Sequence, residues 1–181
     1  MVTPSKDDVC GAAARVAFGK PLIQNNLRGL VVEVIVEFAL KQDWDRCSGD
    51  WKGWDFEHKS DHTRLEVKQS ARRQSWARPA LPQPARFDVA VRTGYYEGAD
   101  WTAHSGRNAH LYVFGYHPVD DETADHRDPE QWRFYVVPTT KLPPTKTVGL
   151  STLDALSTAC SWEQLSEAVE RERTALTKPP A

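Results

Sequence analysis

Residues 109–117, AHLYVFGYH, form an unbroken apolar and aromatic run, and no other stretch narrows the possible folds as much. A short continuous run of this kind reads as a central strand covered on both faces. Its candidate neighbours are TRLEVKQSA (63–71), where apolar and charged residues alternate, and QWRFYVVPTT (131–140), stopped by Pro138. GWDFEH (53–58) precedes the first of these, and KSD between them reads as the turn of an antiparallel hairpin. The covering layers come from two helical patterns. One starts at Asn25 or Asn26 as cap and carries Leu27, Leu30, Val31, Val34, Ile35, Phe38 and Ala39 as an apolar stripe. The other, SWEQLSEAVERERTAL (161–176), opens on a capping box from Ser161 to Gln164, after a short helix in STLDALSTA. The expected fold is α/β, a mixed central sheet flanked by helices in the order α-β-β-β-β-α, with a long irregular crossover between the strand pairs.

The 181 residues suit one domain over 21–175, after a loose or marginally helical arm (1–20) and before a frayed tail (176–181). The longest apolar run, GLVVEVIVEFAL (29–40), is interrupted by two glutamates and is too short to span a bilayer. The first twenty residues make a poor signal peptide. Cys10, Cys47 and Cys160 are widely spaced with no CxxC pair, which argues against a zinc site or disulfide framework and for a reducing, cytoplasmic setting. Net charge is −2, but its distribution says more. Arg64, Lys68, Arg72, Arg73, Arg78, Arg86 and Arg92 face only Glu66 and Asp88 in residues 64–92, whereas Asp120 to Glu130 is acidic. If the basic part borders a cleft, an anionic polymer is its natural ligand; a solvated surface is the plainer reading.

The chemistry concentrates in WDFEHKSDHTRLEVKQSARRQSW (54–76). Strand alternation puts Glu66 and Lys68 on one face, and a tight hairpin brings Asp55 beside Glu66. Two carboxylates can hold Mg²⁺ or Mn²⁺, aided by the Val67 carbonyl. A lysine beside them stays protonated, which suits it to orient water and offset charge on a phosphate. Upstream, Glu33 and Glu37 form an i,i+4 like-charge pair that calls for a nearby cation. Glu33 would add a metal ligand, with Glu37 in reserve. Ser70, Arg72, Arg73 and Gln74 follow the lysine and could contact phosphates, while Trp76 could stack on a base. Gln69 points away from Lys68 along an ideal strand, leaving it a neighbouring strand or a phosphate to contact. His58 and His62 lack a third ligand at suitable spacing and read as solvated.

This constellation resembles the PD-(D/E)xK nuclease superfamily, carried by Asp55, Glu66 and Lys68, with Glu33 in RGLVVEVIVEFAL as the helix-borne acid. EVKQSARRQSW, FDVAVRTGYY and QWRFYVVPT are also similar to an uncharacterised bacterial group in that superfamily. Trp54 stands where the superfamily's name places proline. The resemblance implies a restriction endonuclease-like fold and metal-dependent hydrolysis of DNA. Asp55, Glu66, Lys68 and Glu33 would be catalytic, with the three acids at the metal, and Gln69, Ser70, Arg72 and Arg73 would bind substrate. A homodimer is a common arrangement among such nucleases, and a partner protein could supply specificity. The competing expectation is a nucleic-acid-binding or protein-interaction domain that keeps the fold without turnover.

Overall fold

The computed structural model describes residues 3–47, 52–76 and 84–177. Its centre is a five-stranded mixed sheet in the order β1-β2-β3-β7-β8. These strands are β1 (Trp44–Arg46), β2 (Phe56–His58), β3 (Arg64–Ala71), β7 (Leu111–His117) and β8 (Arg133–Pro138). β7 is the central strand expected of its composition, parallel to β3 along Leu65–Ala71 and antiparallel to β8. Five of its seven residues in succession, Leu111 to Gly115, are buried. The parallel pairing requires a long crossover. That crossover holds β4 (Phe87–Asp88), which pairs with β9 (Thr147–Val148), and a hairpin of β5 (Arg92–Glu97) and β6 (Asp100–Gly106).

Helices α2 (Asn25–Leu40) and α4 (Trp162–Thr177) pack on one face of the sheet. Val32, Ile35, Val36 and Ala39 of α2 meet Leu165, Ala168 and Val169 of α4 over Leu65, Val67, Val113 and Val136. The approach of α2 is close: a Cβ on Gly115 would lie 3.0 Å from Val32 Cγ1, so glycine at that point of β7 lets the helix settle. The opposite face is covered by Trp54, Phe87, Val89, Val148 and Leu153, the last from α3 (Leu150–Leu156). No helix among the described residues is long and apolar enough to cross a membrane.

Several expectations need correction. The α2 stripe is rotated: Leu30 and Phe38 are exposed, while Arg28, Val32 and Val36 are inside. The arm contains a regular helix, α1 (Lys6–Phe18), fixed by a Ser5–Asp8 capping box but burying none of its residues. β1 was not expected, because three residues, WDR, give too short a pattern; it forms by pairing with β2. The stretch around Tyr95 and Trp101 is the β5–β6 hairpin, whose two-residue turn opens on Gly98 at φ +62°, a conformation glycine adopts without strain. At the C-terminal helix the Ser161 N–H donates to the Gln164 side chain, half of the expected capping box.

Candidate functional site

β2 and β3 form the expected antiparallel hairpin, but they stay together briefly. Phe56 pairs with Leu65 and Glu57 with Arg64, and the Asp55 N–H still donates to the Leu65 carbonyl. Beyond that point no described strand pairs with β3 on its β2 side. The next inward donor on that edge, the Val67 N–H, is taken by Asp55 Oδ2 at 2.7 Å. A carboxylate thus ends the ladder, and a cleft of about 660 Å³ opens along the exposed edge of β3. α2 walls it on one side with Arg28 and Glu33, and the crossover supplies Arg86 and Asp88.

Asp55 pays for its position in ionisation. Burial, then the charge of Glu66, push its carboxyl up to about 7, against the pull of the Val67 N–H; Glu33 adds to the rise. Glu66 accepts from Lys68 Nζ on the shared strand face, as the alternation requires. Burial would lower the Lys68 ammonium, but Glu66 and Asp55 more than offset that and hold it above the ordinary lysine range. The cation sought by Glu33 and Glu37 is Arg46 of β1, whose guanidinium reaches Glu33 at 2.9 Å and Glu37 at 3.1 Å. Of these two acids, Glu33 lines the cleft and Glu37 does not.

The structure therefore brings Asp55, Glu33 and Lys68 to one cleft, with Glu66 electrostatically coupled to both Asp55 and Lys68. Gln69 and Ser70 line it too. Gln69 does point away from Lys68, toward α2, where its Oε1 accepts from Arg28 Nε at 2.6 Å. Arg72 and Arg73 go elsewhere: Arg72 pairs with Asp120 at 2.7 Å, and Arg73 donates to the Asp121 carbonyl. The basic and acidic segments seen in the sequence thus meet each other. Arg64 lies 3.8 Å above the Trp54 ring, Arg92 pairs with Asp88, and Arg78 falls outside the described residues. Trp76 is 65% exposed at the cleft border, hence not a core residue. His62 is exposed, as expected, but His58 is buried edge-on against Trp44.

The residue missed in the sequence is Arg28. It is 1% exposed and lines the cleft, and its guanidinium is held by Gln69, Gln74 and Asn25 at 2.6, 2.8 and 2.7 Å. Its position four residues before Val32 was the available signal, since that spacing continues the buried stripe.

Among the described residues no group of three or more His, Cys, Asp or Glu side chains is arranged to hold a metal ion. A two-carboxylate site remains consistent with the donors present. Magnesium takes one or two carboxylates and completes its shell with water and phosphate oxygens. The repulsion that raises Asp55 is also what a dication would relieve. Comparison of the chain with protein-family models, curated proteins and solved structures finds no significant match in any of the three.

Proposed function

We propose that the protein is a divalent-metal-dependent nuclease that hydrolyses phosphodiester bonds in DNA as an endonuclease, on a restriction endonuclease-like variant of the mixed α/β fold. The observation that carries this reading is the desolvated Asp55 carboxylate at the open edge of β3, coupled to Glu66 and to the lysine two residues on. Asp55 and Glu66 would hold Mg²⁺ or Mn²⁺, with Glu33 adding a contact from α2. Bound there, the metal would polarise a phosphoryl oxygen and lower the pKa of a ligated water.

The protein's own groups have separate tasks. Lys68, kept protonated by its acids, leans from Glu66 toward the phosphate and offsets its developing charge. Glu66, which accepts from Lys68 in the structure, would be available to hold the metal once the lysine contacts phosphate. Ser70 and Gln69 continue the cleft along β3 and position the strand. A homodimer would give two such clefts for a double-strand cut, and a partner protein could supply sequence specificity.

Cleavage of linear, supercoiled and branched DNA in Mg²⁺ or Mn²⁺ tests the proposal. Wild type should cut, and Asp55→Ala, Glu66→Ala and Lys68→Ala should each lose at least about 100-fold in rate, the scale of removing one transition-state contact. Full activity of Glu66→Ala would sink the mechanism. A second reading, a DNA-binding domain without turnover, is favoured by one fact: Glu66 and Glu33 already have protein cations in Lys68 and Arg46. It expects DNA binding that persists in EDTA and no cleavage with any metal.

A further inference from the structure

Among the described residues, Arg28 is a buried charge with no acid as its partner. Its three acceptors are side-chain amide oxygens, from Gln69, Gln74 and Asn25. Two of its five N–H groups have no acceptor among the described residues. Burial lowers its pKa to about 10, with no carboxylate raising it back. The cation stays charged at neutral pH even so. Leaving a guanidinium out of water in this way is costly, and a carboxylate at any of the three positions would reduce the cost. Two buried imidazoles, His117 and His126, are pushed down by burial, and the charge of Arg28 further opposes their protonation. Arg28 lines the cleft, so a counter-ion can reach it from there.

We propose that Arg28, aimed by Asn25, Gln69 and Gln74, is a phosphate-binding site in the floor of the cleft, taking a backbone phosphate of the DNA strand next to the one at Lys68. The amides serve where acids would fail. They fix the plane of the guanidinium and leave its charge for the ligand. Gln69 follows Lys68 directly but hangs from the other face of β3, so consecutive residues address consecutive parts of one strand across the open edge. Identifying the anion as DNA rests on the nuclease reading; the anion site itself does not.

The experiment measures affinity for a short duplex DNA in EDTA over a range of salt, with inorganic phosphate as the minimal probe. Gln69→Glu and Asn25→Asp each build in the missing acid with almost no change of shape. Asn25→Asp also places an acid in the first turn of α2, where the helix dipole favours it. Both variants should unfold at a temperature no lower than wild type, yet bind DNA at least tenfold more weakly. Their slope of log affinity against log salt should fall by about one phosphate contact. Gln164→Glu on α4, the charge control, should bind as wild type does, and phosphate should stabilise wild type but neither cleft variant.

DNA affinity within twofold of wild type in both cleft variants, or phosphate stabilising all proteins alike, would overturn the proposal and leave Arg28 as a fastener between α2 and β3. DNA binding weakened by both cleft variants, with no cleavage in any metal, leaves the site standing and removes the nuclease reading. Cleavage with binding indifferent to Gln69→Glu and Asn25→Asp does the reverse.

Discussion

The two ends of the cleft are unbalanced in opposite senses. At the β2 end, Asp55 sits among acids and is forced up to about 7 by burial and by Glu66 and Glu33. At the α2 end, Arg28 is a buried cation surrounded by amides. A fold selected for stability alone could pair such charges, since both line one cavity. Keeping them apart leaves Asp55 with a rise that Lys68 offsets only in part, and Arg28 with no acid among the described residues. Under the proposed nuclease reading, a phosphodiester carrying a divalent metal would supply a cation to one and an anion to the other, so the imbalance would favour the ligand-bound protein.

The largest effect should come from emptying the cationic end. Arg28→Ala removes a fully buried side chain and strips donors from three amide oxygens. Asn25 and Gln69 can turn toward water, but Gln74 is only 7% exposed and cannot. The loss should reach roughly 4 kcal/mol in urea unfolding, within the range of broken buried networks. A loss below about 1 kcal/mol would mean that the desolvation of Arg28 nearly cancels its bonds, and that the two ends are not equally strained.

The acidic end should respond with the opposite sign. The folded Asp55 pKa of about 7 exceeds its unfolded value near 3.8. The unfolded chain therefore gives up its proton first as pH rises. Stability from this group is complete below pH 3.8 and is lost as pH climbs through 7. Asp55→Asn keeps an oxygen for the Val67 N–H and carries no charge. It should gain stability across that window, on the order of 2 kcal/mol at pH 8 after allowing for partial exposure, or about 5 °C in Tm. The gain should be small at pH 4. Millimolar Mg²⁺ should raise the Tm of wild type at pH 8 and leave Asp55→Asn unmoved. Equal metal stabilisation of both proteins would place the cation elsewhere.

How much of this the sequence disclosed depends on distance along the chain. Asp55, Glu66 and Lys68 share a hairpin, where strand alternation and a short turn nearly dictate geometry, so their grouping could be read directly. The central strand was equally legible, because burial on both faces leaves a continuous apolar run. Arg72 and Arg73 were misleading: their proximity to Lys68 in sequence suggested the cleft, but β3 ends at Ala71 and the chain turns toward Asp120 and Asp121. Arg46 was invisible as the partner of Glu33 and Glu37 because β1 offers only three residues of pattern. Arg28 was hidden by convention, since an arginine at the start of a helix is ordinarily assigned to solvent. With Arg28 admitted, the buried set Arg28, Val32, Ile35, Val36 and Ala39 follows at helical spacing.

The rotation of α2 is what aims both Arg28 and Glu33 at the cleft, so it deserves the gentlest and most discriminating test. In the observed orientation Leu30 is 43% and Phe38 72% exposed. Leu30→Lys and Phe38→Ser should then each shift stability by less than about 0.5 kcal/mol, the range of ordinary surface changes. Had α2 presented the apolar face that its leucines suggest, both residues would lie in the core. Phe38→Ser would then cost more than about 3 kcal/mol, and Arg28 would sit at the rim with solvent for a counter-ion. Urea midpoints for the two variants decide between these orientations. Unchanged midpoints would support the inward placement of Arg28, the premise of the contrast between the ends of the cleft.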